Sequence, residues 1–175
     1  PVQHDDDEDR AVRAAIAMIT ELWYWNKVRV ARGEDPVDHG VGLNTGMVVS
    51  GNIGSPKRMD YTMIGDGVNL AARLESACKQ YSARILISEF TKNQLTNGHL
   101  VREIDRLQVK GKNEPVAIYE ALDHFTEDSF PSLEKTVQAY GAGLGLYRQR
   151  DFQGALDSGR QGPSFHPGGK ATRMY

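Results

Sequence analysis

The hydrophobic and polar positions in the first part of the chain follow a helical period. Between Asp9 and Arg32 the apolar side chains recur at helical spacing and predict a long helix with a buried stripe. The acidic run Asp5–Asp9 precedes this helix, where the helix dipole favours negative charge. The predicted stripe consists of Val12, Ile16, Ile19 and Trp23, with Trp25 at its flank.

The middle of the chain changes to strand-like patterns separated by glycine turns. Residues 38–50 alternate enough to predict a strand, and the glycines at 51–54 predict a hairpin. A second extended run, 58–64, leads through Gly65-Asp66-Gly67 into a helix that ends near Tyr81. Further predicted elements are a strand at 84–87, a helix beginning at Ser88, and strands around 100–109 and 116–122. We expect helices on one face of the resulting sheet.

The last quarter of the chain has a different character. Residues 124–132 predict a linker, residues 133–158 a helical hairpin-like appendage, and residues 159–175 an irregular tail rich in Gly and Pro. The run 145–156 resembles one tetratricopeptide-like hairpin, which must dock on another surface to bury its apolar face. Glycines at 141, 143 and 145 are expected to weaken its first helix.

Two polar side chains share one face of the helix that follows Gly67. Asn69 and Arg73 are four residues apart, beside the stripe formed by Leu70 and Leu74. Arginine presents a planar fork of donors suited to phosphate oxygens, and asparagine offers a donor and an acceptor to an ether or hydroxyl oxygen. Thr62 precedes the turn and could contact the same ligand. The alternative is that Asp66 caps the helix while both side chains lie in solvent.

The run Arg58–Glu75 resembles the conserved strand and helix of the class III nucleotidyl cyclases, with Gly65–Arg73 matching the pattern of that family. The resemblance extends from about Asp5 to Leu122. Supporting segments are the glycine-rich hairpin Val41–Gly54 and the closing strands at Val109–Lys112 and Pro115–Glu120. The resemblance implies an α+β, ferredoxin-like (βαββαβ-type) cyclase domain over residues 1–123, lacking its N-terminal strands.

The resemblance also implies roles for four residues. Asn69 and Arg73 are implied to be catalytic: Asn69 would position the ribose, and Arg73 would stabilise the phosphates in the transition state. Thr62 and Lys110 are implied to bind substrate, through the purine and the terminal phosphates. Strand alternation places Lys110 with Gln108, although an ordinary edge-strand lysine is the alternative. The threonine at position 62 resembles the residue found at this position in bacterial and soluble adenylyl cyclases. This resemblance implies a preference for ATP over GTP.

The metal ligands of the family have no counterpart in this sequence. Such cyclases hold Mg²⁺ or Mn²⁺ through two upstream aspartates, and neither aspartate motif is present. We therefore expect the metal ligands to come from an N-terminal segment or a partner chain. The run Asp5–Asp9 could replace them, but its place before an apolar helix favours a role at the helix N-terminus.

Composition excludes several other classes of function. Among 175 residues, 39% are hydrophobic and 25% charged, and the net charge of -2 predicts no nucleic-acid partner. No apolar run approaches membrane-spanning length, so we expect no membrane contact from this segment. Cys78 is the only cysteine, which favours a reducing compartment and a cytoplasmic location.

The function implied by these observations is adenylate cyclase activity, the conversion of ATP to 3′,5′-cyclic AMP and pyrophosphate. The partners implied are ATP and a second cyclase domain, as a homodimer or a pseudo-heterodimer. Two alternatives stay open: a non-catalytic module that binds a nucleotide or a partner, and a guanylate cyclase that uses GTP.

Overall fold

The computed structural model describes residues 4–55, 58–108, 114–127 and 129–161 of the chain. Its helices are α1 (Asp7–Ala31), α2 (Asp66–Tyr81), α3 (Glu89–Lys92), α4 (Leu133–Arg148) and α5 (Phe152–Gln161). Its strands are β1 (Val41–Leu43), β2 (Val49–Ser55), β3 (Arg58–Ile64), β4 (Ile85–Ser88), β5 (Val101–Leu107) and β6 (Val116–Ala121). The predicted strand at 38–50 is therefore divided between β1 and the start of β2.

The strands form two separate sheets. Four of them make a mixed sheet in the order β1-β4-β6-β5, in which β1 is parallel to β4 and the other pairs are antiparallel. Strands β2 and β3 form an antiparallel hairpin of their own, in which Thr62 lies opposite Gly51. This mixture of helices and sheet agrees with the predicted α+β class.

The helices α1 and α2 cover opposite faces of the four-stranded sheet. Leu86 of β4 packs in a cluster with Leu70 and Leu74 of α2, whereas Ile85 and Ile87 pack with residues of α1. Neighbouring residues of a strand point to opposite faces. The expectation of helices on one face was wrong, because the short strand β4 is apolar on both sides.

The buried stripe of α1 ends earlier than predicted. Val12, Ala15 and Ile19 are buried, but Trp23 is 51% exposed, and Trp25 is equally exposed. A 25-residue helix is roughly 37 Å long, whereas β4 has only four residues. The second half of α1 therefore extends beyond the sheet, and the prediction that Trp23 is buried was wrong.

The C-terminal helices dock on the sheet domain. Leu133 packs with Leu122 and Phe130 in a third buried cluster, with Phe125 and Val137 at its edge. The helix α4 continues through its glycines, and a Cβ at Gly143 would lie 3.4 Å from the Ala155 carbonyl of α5. This is an ordinary van der Waals distance, and the burial of Gly143 between α4 and α5 offsets its low helix propensity.

An ion pair adds to this docking. The guanidinium of Arg148 on α4 contacts the carboxylate of Glu103 on β5. Burial acts to raise the pKa of Glu103, but Arg148 and Arg106 outweigh it and hold that pKa below its ordinary value. The helix α5 reaches Gln161, so the predicted irregular tail does not begin at 159, and residues 162–175 lie outside the described residues. The division into domains stays a prediction.

We expect Gly42→Ala to destabilise the fold, because β1 crosses α2 without room for a side chain. A Cβ at Gly42 would lie 2.3 Å from the Ala71 carbonyl oxygen and 2.4 Å from the Glu75 nitrogen. Overpacking of this kind lowers the free energy of unfolding by about 1–3 kcal/mol. Urea unfolding measures the change, with Gly51→Ala as control because its Cβ would meet nothing within 4 Å. Equal midpoints for the two variants would contradict this close approach.

Candidate functional site

The site begins at the turn where β3 runs into α2. Gly65 has a φ of 155°, a conformation that side-chain-bearing residues rarely adopt. Its carbonyl accepts hydrogen bonds from the backbone N–H groups of Val68 (3.1 Å) and Asn69 (3.3 Å). A Cβ at Gly65 would lie 3.2 Å from the Met47 carbonyl. Strand and helix are thereby joined through a single residue.

The core fixes which face of α2 meets solvent. Leu70 and Leu74 are 3% and 0% exposed, while Asn69 and Arg73 are exposed on the outer face. In the part of the chain that the structure describes, neither polar side chain forms a hydrogen bond or an ion pair. Gly65 occupies the cap position and no side chain caps the helix, so the Asp66 cap of the alternative was wrong, whereas the exposure of Asn69 and Arg73 agrees with the second part of that alternative.

Thr62 is exposed on β3, and both faces of the β2–β3 hairpin are exposed along this strand. Tyr61 and Met63, which flank Thr62 and point the other way, are 65% and 58% exposed, and Ile64 is 52% exposed. Large exposed apolar patches mark interaction sites more often than free surface. Thr62 on β3 and the polar residues on the outer face of α2 are thus each exposed among the described residues.

These elements occur together in one known family. A family model described as the adenylate and guanylate cyclase catalytic domain matches residues 3–121. The chain belongs to this family. The chain is 37% identical over 168 residues to the terminal-differentiation specific adenylate cyclase of Dictyostelium discoideum, covering 94% of this chain and 8% of that protein.

Two further relatives agree with this assignment. The adenylate cyclase of Anabaena cylindrica is 39% identical over 123 residues, covering 66% of this chain and 24% of that protein. The crystal structure of the guanylyl cyclase Cya2 matches with a TM-score of 0.60 at 36% identity, over 69% of this chain and 60% of that one. The predicted family and fold class are confirmed. The chain spans at most 24% of the length of the two adenylate cyclases.

The fourth predicted site residue is Lys110. It falls in residues 109–113, which lie outside the described residues, between the end of β5 at Leu107 and the start of β6 at Val116. The substrate-binding role of Lys110 therefore stays a prediction, as do the roles of Thr62, Asn69 and Arg73.

The acidic run at the start of α1 anchors the helix. Asp9 is fully buried and accepts hydrogen bonds from the Thr96 hydroxyl (2.7 Å) and from the backbone N–H groups of Thr96 and Asn97. Burial acts to raise the pKa of Asp9, but the hydrogen bonds from Thr96 and Asn97 hold it below its ordinary value. Asp7 and Glu8 lie in the first turn of α1, where the dipole favours them.

The described residues do not form a metal centre. Nowhere in these ranges do three or more His, Cys, Asp or Glu residues come together so that they could hold an ion. Asp9 is already committed to Thr96 and Asn97. Within the described ranges, the residues present therefore do not fit the divalent ions that the family uses.

The structure also has a cavity of about 550 Å³ between α1 and the segment after β6. It is lined by residues that include Trp23, Arg102, Glu120 and His124, and not by Thr62, Asn69 or Arg73. Burial, with a further contribution from Arg84, lowers the pKa of His124 to about 4. His124 is therefore neutral near pH 7. This cavity is distinct from the open surface beside α2.

The sequence analysis missed one residue beside the turn. Asn44 follows β1, and its side-chain Nδ2 donates a hydrogen bond to the Gly67 carbonyl at 3.1 Å. Asn44 lies inside the strand predicted at 38–50 and inside the glycine-rich hairpin Val41–Gly54, so no local signal distinguishes its side chain.

None of the helices in the described ranges has the length and apolar character that crossing a bilayer requires.

Proposed function

We propose that this domain converts ATP to cyclic AMP and pyrophosphate, together with a second polypeptide segment that supplies the metal-binding aspartates. The observation that carries the proposal is the outer face of α2, where Asn69 and Arg73 project into solvent with no partner among the described residues. A guanidinium and an amide one helical turn apart are suited to bind the phosphate and ribose oxygens of a nucleoside triphosphate.

The proposed reaction takes place within one ATP molecule. The ribose 3′-oxygen forms a bond to the α-phosphorus, while the bond from that phosphorus to the oxygen bridging the β-phosphate breaks. Pyrophosphate leaves with the bonding electron pair, and the proton of the 3′-hydroxyl is released to solvent. Asn69 orients the ribose, and Arg73 stabilises the negative charge that develops on the phosphates. Lys110 binds the terminal phosphates and Thr62 contacts the purine.

The segment that supplies the aspartates is either upstream in a longer polypeptide or part of a partner chain. The active unit is then a homodimer or a pseudo-heterodimer. The apolar side chains exposed on β2 and β3 support this arrangement, since Val49, Met59 and Tyr61 are each at least 61% exposed. Aspartates of that segment would bind the Mg²⁺ or Mn²⁺ ions. We place the assembly in the cytoplasm, in accord with the single free thiol of Cys78.

A second candidate function is a non-catalytic module that binds a nucleotide or a partner domain. The observation that favours it is the lack of a metal-holding group within the described residues. The pairing of Asn69 with Arg73 on the exposed face of α2 favours the enzyme over a module that binds only a partner domain, because such a module needs neither side chain.

Reconstitution separates these two functions. We expect the chain alone, with ATP and Mn²⁺, to make essentially no cyclic AMP, and a mixture with an aspartate-bearing cyclase half to become active. The control is the same half with both aspartates replaced by alanine. Robust activity of the chain alone would contradict the shared site. Inactivity with every aspartate-bearing half, despite nucleotide binding, would favour the non-catalytic module.

Thr62→Cys tests the assignment of the purine contact. We expect the reconstituted enzyme to lose part of its preference for ATP over GTP, because the hydroxyl of Thr62 is replaced by a weaker hydrogen-bonding thiol. The measurement is the ratio of kcat/KM for the two nucleotides. Thr126→Cys is the control, since Thr126 lies in the segment between β6 and α4. An unaltered ratio for Thr62→Cys would mean that this side chain does not contact the base.

A further inference from the structure

Residues 44–47 run alongside the turn that opens α2 and contact it at two points. The Asn44 amide donates from Nδ2 to the Gly67 carbonyl at 3.1 Å, and a Cβ at Gly67 would lie 3.3 Å from the same nitrogen. The Met47 carbonyl lies against Gly65, where a Cβ would approach it to 3.2 Å. The segment and the first turn of α2 are therefore in close contact.

The same segment is fixed on its other side to α3. The backbone N–H of Thr45 donates to the Thr91 hydroxyl at 2.9 Å, and the two hydroxyl oxygens are 3.2 Å apart. Thr91 is 2% exposed, and its N–H donates to the Ser88 hydroxyl. The residue next to Asn44 is thus bonded to Thr91, which is part of the buried core.

The first turn of α2 needs such an external support. It contains Gly65 at the cap position and Gly67 two residues later, and no side chain caps it. Glycine has the largest backbone freedom of all residues, and the loss of a capping side chain leaves the first N–H groups of a helix without a partner. A turn with this sequence holds its geometry poorly without help from another segment.

We propose that Asn44 is a positioning residue for the cyclase reaction. Its amide fixes Gly67 and thereby the direction in which Asn69, two residues further along α2, meets the nucleotide. The proposal rests on the proposed function, because it assigns to Asn69 the role of orienting the ribose.

Stability alone does not explain an amide at this position. The Oδ1 atom of Asn44 is buried and has no hydrogen-bond partner among the described residues, an arrangement that is unfavourable for a polar atom. The Gly67 carbonyl also has a place in the hydrogen-bond ladder of α2. A leucine of similar size at position 44 would remove the unpartnered oxygen and leave that carbonyl bonded. Only the Nδ2 donor to the turn is lost.

The test compares Asn44→Leu with Asn26→Leu. Asn26 lies in the C-terminal part of α1, far from Gly67 in the sequence. It is the matched control because its side-chain amide makes two hydrogen bonds of 2.8 Å with the backbone of Val37. In the enzyme reconstituted with an aspartate-bearing half, we expect Asn44→Leu to lower kcat about 10-fold or more, since a small displacement of an orienting group has effects of this size. We expect little change in KM or in the urea midpoint. Asn26→Leu should lower the urea midpoint and leave kcat unchanged.

Hydrogen exchange of the chain without a partner provides a readout that does not need activity. We expect Asn44→Leu, but not Asn26→Leu, to accelerate exchange of the amides of residues 66–70. Unchanged exchange in Asn44→Leu, or faster exchange with an unchanged kcat, would overturn the proposal. Activity losses in both variants that follow their stability losses would also overturn it. A wild-type reconstitution that makes no cyclic AMP would refute the proposed function, and with it the role of Asn44 in positioning Asn69 for catalysis. The exchange result would still decide whether Asn44 fixes the turn.

Discussion

Arg73→Ala is expected to lower the cyclic AMP turnover of the reconstituted cyclase by about 10²-fold or more. Removal of one preorganised donor to a developing negative charge has effects of this size, and a factor of 10² corresponds to about 2.7 kcal/mol of activation free energy. Arg73 is exposed and has no ion pair among the described residues. We therefore expect its replacement to change the free energy of unfolding by less than about 0.5 kcal/mol.

Two further variants sharpen this test. Arg73→Lys keeps the positive charge but loses the planar fork of donors, and we expect a turnover between those of the wild type and Arg73→Ala. Arg10→Ala removes another exposed arginine, on α1, and should leave turnover unchanged. The measurement is kcat at saturating ATP and Mn²⁺. Wild-type turnover in Arg73→Ala would remove this residue from the active site.

The parts of the fold that sequence predicted well depend on local pattern. The spacing of Leu70 and Leu74 identified the buried face of α2, and so the outward direction of Asn69 and Arg73. The acidic run before α1 was correctly interpreted as the start of a helix, and the structure adds that Asp9 is buried against Thr96. In each case the residues that decide the outcome lie within a few positions of one another.

The features that sequence missed depend on residues far apart in the chain. Nothing near Trp23 indicates that the sheet ends before the helix does, so the stripe was extended one turn too far. The contact between Asn44 and Gly67 joins positions 23 residues apart. Low helix propensity at Gly143 suggested a weak helix, but α4 continues through this position, where Gly143 is buried against α5.

The ion pair between Arg102 and Glu120 is another feature without a local signal, because its partners are on the neighbouring strands β5 and β6. The residues are 4% and 3% exposed, and the Glu120 carboxylate accepts from Nε at 2.7 Å and from Nη2 at 2.6 Å. The Arg102 guanidinium also lies 5.3 Å from the ring centre of Tyr140 on α4. The pair thus connects the sheet with the C-terminal helices.

Glu120→Ala is expected to lower the free energy of unfolding by about 3–5 kcal/mol, because it leaves a buried guanidinium without its counter-charge. Urea denaturation measures the change, and Glu120→Gln provides a milder variant of similar shape if the alanine variant does not fold. Glu103→Ala is the matched control on β5. Its partner Arg148 has a side chain that is 40% exposed, so we expect a loss of no more than about 1 kcal/mol.

A double variant distinguishes the loss of a favourable ion pair from the cost of leaving a buried charge unpaired. Arg102→Met combined with Glu120→Leu removes both charges and fills similar volume, and we expect it to recover most of the stability lost in Glu120→Ala. If Glu120→Ala instead cost no more than Glu103→Ala, the guanidinium of Arg102 would have to reach solvent in the variant. The packing of α4 over β5 would then be looser than the contact between Arg102 and Tyr140 requires.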